Sequence, residues 1–399
     1  MNGDQPIMWN LKEMVDFCSE FENIYIYGHG HDQDMLCKYL EMIKFRISGF
    51  IVSDNKFNDK NEAQGDIRCS DIKNKTNKDC IGIIVATWDL YFNEILKELL
   101  QVGLPINNVY FLSGYNKRTI SHKMTPRPQD RMWIEVNLAD HCNLNCQMCD
   151  HFAPLAKPTF MDIDVYRNDV HRLSELARGH IDIFKLQGGE PLLNDNTIEF
   201  IRIARENFPK AILFFFTDGL LLKRWESHPS GNFWKACHDY NVRIELTVYP
   251  VGINLSEIEE LAKKYDVWLD AFTEVGHRKL DGVKRSVKHP FLLDGSAEKW
   301  QFISCYQFNE SITLRNGKLY TCPMIPYIEH FNKYFNQNLK VTENDYIDIY
   351  KAKSYEELAE FVTHRTDFCN YCDVRNRRSY EWKQSKHTID EYVDVEERK

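Results

Sequence analysis

Cys142-Asn-Leu-Asn-Cys146-Gln-Met-Cys149 follows directly on the apolar run Trp133-Ile-Glu-Val-Asn-Leu138. Three thiols at x3 and x2 spacing therefore sit on one tight loop behind a predicted strand. A cubane iron-sulfur cluster that only carries electrons takes four cysteines; three leave one iron open, and an open iron binds a substrate. The same thiols with His141 or His151 also fill the tetrahedral shell of a structural zinc ion. Zinc knuckles usually pair two short Cys-x2-Cys units, however, and x3 followed by x2 wraps a cube better than it grips a single ion.

Further along, Ile183-Phe-Lys-Leu-Gln-Gly188-Gly189-Glu190-Pro191 reads as an apolar strand ending in two glycines, an acid and a proline. The glycines let a ligand approach the backbone, and the carboxylate accepts hydrogen bonds from an ammonium group; an ordinary strand-to-loop turn has the same composition. Ile212-Leu-Phe-Phe-Phe-Thr217-Asp218-Gly219 and Arg243-Ile-Glu-Leu-Thr247-Val-Tyr249-Pro250 are largely apolar runs of the kind expected for strands buried in a parallel sheet. Each finishes in polar residues. In a βα barrel the ligand site lies at the C-terminal strand ends, which would bring Thr217, Asp218, Thr247 and Tyr249 to the same mouth as the cysteine loop. As strand-ending turn residues they need no ligand at all.

The cysteine loop and the later Gly-Gly-Glu-Pro, in this order, resemble the signature of the radical S-adenosylmethionine (SAM) enzymes, over roughly residues 132–375. That resemblance implies a partial (β/α)6 TIM-type barrel and a 4Fe-4S cluster on Cys142, Cys146 and Cys149. It implies SAM chelated to the open iron, contacting Gly188, Gly189, Glu190, Thr217, Asp218 and Thr247, with Met148 packed against cluster or adenine. One electron from a flavodoxin- or ferredoxin-type donor then releases a 5'-deoxyadenosyl radical that takes hydrogen from an unactivated C-H bond. The cofactors carry this chemistry and the protein positions them.

A second cysteine set comprises Cys305, Cys322 behind Gly317-Lys-Leu-Tyr-Thr, and Cys369-Asn-Tyr-Cys372. Asn316-Gly317 between alternating flanks predicts a β-hairpin over Ile312–Thr321. Four thiolates saturate one cluster, and the layout resembles the twitch-type auxiliary-cluster domain, the short form of the SPASM domain, which implies a second 4Fe-4S cluster. A closed four-cysteine zinc site is the rival.

Ahead of these motifs lies a different pattern. Asn23-Ile-Tyr-Ile-Tyr27-Gly28-His-Gly30, a helical stretch through Leu40, Ile47–Asp54, Ile81–Thr87, a helix from about Asp89 to Val102, and Val109–Leu112 alternate as a small parallel Rossmann-like sheet. Gly28 and Gly30 would cradle a phosphate and Asp54 a ribose hydroxyl. Gln33 stands where a dinucleotide fingerprint has its third glycine, which argues against NAD. The alternative is a docking scaffold without a ligand.

The expected class is thus α/β, with a Rossmann-like domain over 1–115, a linker over 116–131 carrying Arg118, Lys123, Arg127, Pro126 and Pro128, a barrel over 132–300 and an auxiliary domain with its tail over 301–399. A net charge of -9 argues against general nucleic-acid binding. No apolar run reaches membrane-spanning length, and no signal-peptide pattern opens the sequence. Twelve cysteines without an export signal predict a cytoplasmic, metal-ligating protein.

The Rossmann-like domain resembles those attached to enzymes of surface-polysaccharide and nucleotide-sugar metabolism. The expected activity is therefore oxidation, epimerisation or elimination on a sugar or nucleotide-linked sugar. The alternative is a peptide or protein modifier; a zinc-stapled binding protein is the non-enzymatic reading. Asp150, His151, Glu245 and Tyr249 lie near the expected mouth without an assigned base, and Cys237 is either a hydrogen donor or a core cysteine.

Overall fold

Alternation of apolar strands with amphipathic helices builds parallel sheets, because each crossover helix covers one sheet face. The computed structural model describes residues 11–28, 30–75, 77–87, 91–112, 116, 117, 120, 132–179, 181–273, 282–297, 305, 307, 311–362 and 365–393. Most of the expected linker, with Arg118, Lys123, Pro126, Arg127 and Pro128, lies outside them. The described residues fall into two units. One holds those up to 120 with Ala297, Cys305, Gln307 and Arg365; the other holds 132–296, 311–362 and 366–393.

The first unit is an all-parallel sheet of β1 (Asn23–Tyr27), β2 (Gly49–Val52), β3 (Ile67–Arg68), β4 (Ile81–Val85) and β5 (Val109–Phe111) in the order β3-β2-β1-β4-β5. This is the Rossmann-type order. All five residues of β4 are buried, as a central strand with both faces covered requires. Helices His31–Met42 and Phe92–Gln101 stand where expected, while helix Leu11–Ser19 and the two-residue β3 were not anticipated.

In the second unit β6 (Met132–Asn137), β7 (Ile181–Gln187), β8 (Ile212–Thr217), β9 (Val242–Thr247) and β10 (Leu269–Phe272) are parallel neighbours in sequence order. Helices Ile163–Ala177, Thr197–Asn207, Phe233–Asp239 and Leu255–Tyr265 connect them. Asp162 starts the first of these, its carboxylate accepting the N–H of Asp164 and of Val165 at 2.9 Å. An antiparallel pair, β11 (Arg285–Lys288) with β15 (Arg378–Glu381), forms a separate ribbon.

The expected hairpin is present as β12 (Ile312–Arg315) and β13 (Lys318–Tyr320), with Asn316 at φ 49° and Gly317 at φ 72°, the pair of positive values a type I′ turn demands. It belongs to the central sheet. β12 pairs parallel with β6, and β14 (Tyr346–Asp348) extends the far edge. The order β10-β9-β8-β7-β6-β12-β13-β14 therefore contains six parallel strands.

β8 and β9 are not buried on both faces. Leu213, Phe215, Ile244 and Leu246 enter the core with Phe184, Phe200 and Trp234, whereas Phe214, Phe216, Arg243 and Glu245 are half-buried. The second face carries charge: Lys185 lies over the rings of Trp133 and Phe216, and Arg243 over those of Phe214 and Trp268. A face with such cations needs access to water or ligand, so alternation replaces continuous burial.

Candidate active site

The cysteine loop leaves the C-terminal end of β6, and the loops after β7, β8 and β9 leave the same edge of the sheet. Cys142, Cys146 and Cys149 line one cavity of ≈ 300 Å³ with Gly188, Gly189, Thr217, Asp218, Thr247 and Tyr249. Met148 lines it as well, buried and at φ 52°. The expected mouth is thus assembled from residues far apart in sequence.

Gly188 and Gly189 have a sharper requirement than ligand approach alone. A Cβ on Gly189 would lie 2.1 Å from the His141 carbonyl oxygen, and one on Gly188 2.5 Å from that of Ala139. The Gly189 N–H donates to Ala139 O at 2.8 Å and the Glu190 N–H to His141 O at 3.1 Å. The glycines therefore press the loop after β7 against the start of the cysteine loop.

Glu190 departs from the free carboxylate that the sequence suggested. Its Oε1 accepts the Thr217 hydroxyl at 2.9 Å and the Leu192 N–H at 3.0 Å; its Oε2 accepts the Asp218 N–H at 2.9 Å. It is completely buried. Burial and the charge of Asp218 push its pKa well above the usual carboxylate range. Asp218 is different: Oδ1 accepts the Leu220 N–H at 2.9 Å, while Oδ2 is buried without a hydrogen-bond partner. A buried, unpaired acceptor lining a cavity fits a donor on a bound ligand.

His151 bridges the loop to β6 and β7, its Nε2 lying 3.8 Å from Glu135 Oε1 and 3.4 Å from Gln187 Nε2. Burial opposes its charge, but the hydrogen bond to Cys149 and the Glu135 carboxylate outweigh it and push its pKa up to about 10. Glu135 also accepts the Thr313 hydroxyl of β12 at 2.9 Å. Asp140, two residues before the first cysteine, receives Arg315 in bidentate fashion at 2.7 and 2.9 Å, with His330 Nε2 at 3.1 Å.

Part of the lining was not anticipated. Lys284, Ser286 and Lys288 from the β11 segment and Tyr380 and Trp382 from the β15 segment line the same cavity. They are alternate residues, so one ribbon face supplies them all. Lys288 pairs with Asp150. The alternation in Arg378-Ser-Tyr-Glu-Trp382 is a trace of this strand too short to mark it, in a segment read as a tail. Cys237 is buried in the core and is not among the cavity residues, which favours the core-cysteine reading.

In the second cysteine set, Cys322 follows β13, Cys369 lies within the short helical turn Asp367–Tyr371 and Cys372 directly after it, all in the second unit, while Cys305 falls in the first. Among the described residues no three His, Cys, Asp or Glu side chains are grouped to hold a single metal ion.

In the first unit Gly28 follows β1 at φ 127°, where a Cβ would lie 2.6 Å from Ala86 O; around Gly30, at φ 130°, a Cβ meets nothing within 4 Å. Asp54 Oδ1 accepts the Ser70 N–H at 3.0 Å. No described helix is long and apolar enough to cross a membrane.

The donor set fits the cofactors that the cysteine spacing implies: three thiols, two closely packed glycines and an unpaired carboxylate oxygen line one cavity. Residues 136–265 match the family described as Radical SAM superfamily. The chain carries a radical SAM domain, a family whose members use a 4Fe-4S cluster and SAM. It is 26% identical over 179 residues to the FeMo cofactor biosynthesis protein NifB of Methanocaldococcus jannaschii, covering 40% of this chain and 55% of that protein. The chain thus spans about half the length of this curated relative.

Among solved structures it is similar to BtrN in complex with AdoMet and 2-DOIA, with a TM-score of 0.37 and 18% identity over 60% of this chain and 85% of that one. It is also similar to anSMEcpe with bound AdoMet, with a TM-score of 0.29 and 22% identity over 37% and 44% of the two chains.

Proposed function

We propose that this chain is a radical SAM enzyme acting on a small polar substrate, a sugar or nucleotide-linked sugar, which it oxidises, epimerises or relieves of a substituent. The observation that carries the reading is the meeting of Cys142, Cys146 and Cys149 with the ends of β7, β8 and β9 in one cavity. A cluster with an open iron and SAM supplies there a radical able to take hydrogen from an unactivated carbon.

The chain's own residues have distinct tasks in this proposal. Cys142, Cys146 and Cys149 ligate the cluster. Asp218 Oδ2 accepts a hydrogen bond from SAM, while Glu190 holds Thr217 and Asp218 in place from behind. Gly188, Gly189, Met148 and Thr247 shape the SAM side. Lys284 and Ser286 present donors to the substrate from the ribbon. Cys322, Cys369 and Cys372 are proposed to contribute to a second cluster.

Anaerobic reconstitution tests this first. About eight irons per chain are expected for two cubane clusters, and replacing Cys142, Cys146 and Cys149 by Ala should leave about half and abolish 5'-deoxyadenosine formation. Reduced protein with SAM and candidate nucleotide sugars is then read by product mass: loss of two hydrogens, loss of water, or an isomer of equal mass. Zinc instead of iron on the first loop would overturn the enzyme reading. Turnover of a peptide while every sugar stays unchanged would overturn the substrate class.

A further inference from the structure

The middle of the cysteine loop is fastened to the segment that follows β15. Gln147 N–H donates to Lys383 O at 3.0 Å, the Tyr380 hydroxyl to Gln147 O at 2.8 Å, and Ser385 N–H to Asn145 O at 2.7 Å. His387 Nε2 meets Asn145 Oδ1 at 2.9 Å. These bonds bracket Cys146. Within the bracket, the indole Nε1–H of Trp382 donates to Cys146 Sγ at 3.1 Å. The ring stands edge-on to Tyr249, with centroids 5.7 Å apart, and the Trp382 main-chain N–H donates to Lys284 O at 2.7 Å. One residue is thus held by the ribbon through its backbone and by a cluster-ligand candidate through its side chain.

A tryptophan N–H has no acceptor function, so its direction toward sulfur is fixed. Hydrogen bonds to cysteine sulfur and exclusion of solvent are two of the protein's means of setting a cluster's reduction potential. A donor stabilises the more negative, reduced form more than the oxidised form, and so raises the potential.

We infer that residues 380–387 are a strap that seats the cysteine loop, and that Trp382 is a positioning residue whose N–H raises the reduction potential of the cluster on Cys142, Cys146 and Cys149. This rests on the reading that the loop holds a cluster. It assigns a role in that reading to a segment beyond the last cysteine. Trp382→Phe keeps an aromatic ring against Tyr249 and removes the N–H donor together with part of the ring.

The experiment is an anaerobic redox titration of full-length reconstituted protein, following by electron paramagnetic resonance the reduced-cluster signal that changes when SAM is added. Trp382→Phe should keep the wild-type iron content and move the midpoint to a more negative potential. Tyr380→Phe removes a strap hydrogen bond without touching sulfur and should leave the midpoint where it is. An unmoved midpoint in Trp382→Phe, an equal shift in Tyr380→Phe, or loss of the SAM-responsive iron in Trp382→Phe would each overturn the inference. A wild-type protein that binds no iron on the loop is a different result, and it removes the cluster reading itself.

Discussion

The Glu190 carboxylate accepts the main-chain N–H of Asp218 at 2.9 Å, tying the loop after β7 to the end of β8 from beneath the cavity. Its other oxygen already accepts Thr217 and Leu192, so Glu190→Gln must turn its amide NH2 toward the Asp218 N–H. Two buried donors then face each other. We expect a loss of about 1–3 kcal/mol in stability, read as a lower urea midpoint at unchanged slope. An unchanged midpoint would mean that the carboxylate is not committed to the protein, and would return it to the SAM amino group.

Asp140 and Arg315 make the second prediction. Their bidentate pair joins the start of the cysteine loop to β12, and both side chains are largely buried. Burial opposes the charge of Asp140, but His330 and the Arg315 guanidinium outweigh it and hold the carboxyl well below the usual carboxylate range. Arg315→Met leaves the carboxylate short of its main partner and should cost about 3–5 kcal/mol, measured by denaturant unfolding. Adding Asp140→Asn should recover part of that loss. No recovery would mean that Arg315 matters for packing over the Tyr327 ring, where its guanidinium lies 4.3 Å from the centroid.

These two relationships mark the limit of what the sequence discloses. Cys142, Cys146, Cys149 and the Gly188-Gly189-Glu190 turn are legible because short-range spacing carries their chemistry, and Asn316-Gly317 because its turn type demands that pair. Which oxygen of Glu190 meets which donor depends on β7 and β8 being neighbours, a tertiary fact. The ribbon wall is harder still. Lys284 and Trp382 come from segments about a hundred residues apart, and each four-residue strand is too short to stand out from loop sequence. β12, within the segment expected as an auxiliary domain over 301–399, continues the central sheet beside β6.

Asp218 carries the third prediction. Asp218→Asn preserves size and the Oδ1 acceptor for Leu220 N–H but removes the charge at the unpaired Oδ2. SAM affinity should fall by roughly 1.5–3 kcal/mol, about ten- to a hundredfold, with iron content unchanged. Equilibrium binding to reconstituted protein gives the measurement. Wild-type affinity in the variant would exclude Asp218 from the SAM contacts.

The last prediction concerns the first unit, where Gly28 and Gly30 have different reasons to be glycine. A Cβ on Gly28 would collide with the Ala86 carbonyl, so Gly28→Ala should lower the thermal unfolding temperature with or without ligand. Gly30 precedes helix His31–Met42 with open space around its missing Cβ, the kind of position where a phosphate can reach the backbone and a helix N-terminus. If the unit binds a nucleotide, uridine diphosphate or a nucleotide sugar should stabilise the full-length protein, by about 2.7 kcal/mol at a hundred times the dissociation constant. Gly30→Val should abolish that ligand-dependent gain. Its strained φ alone costs about 1–3 kcal/mol, so the quantity to compare is the gain on adding ligand and not the unfolding temperature itself. The same care applies to Asp54→Ala, which forfeits the hydrogen bond from Ser70 N–H whether or not ribose is bound. A gain that survives Asp54→Ala removes the ribose contact; no gain with any nucleotide makes the unit a scaffold, and the sugar reading then stands on the cavity of the second unit alone.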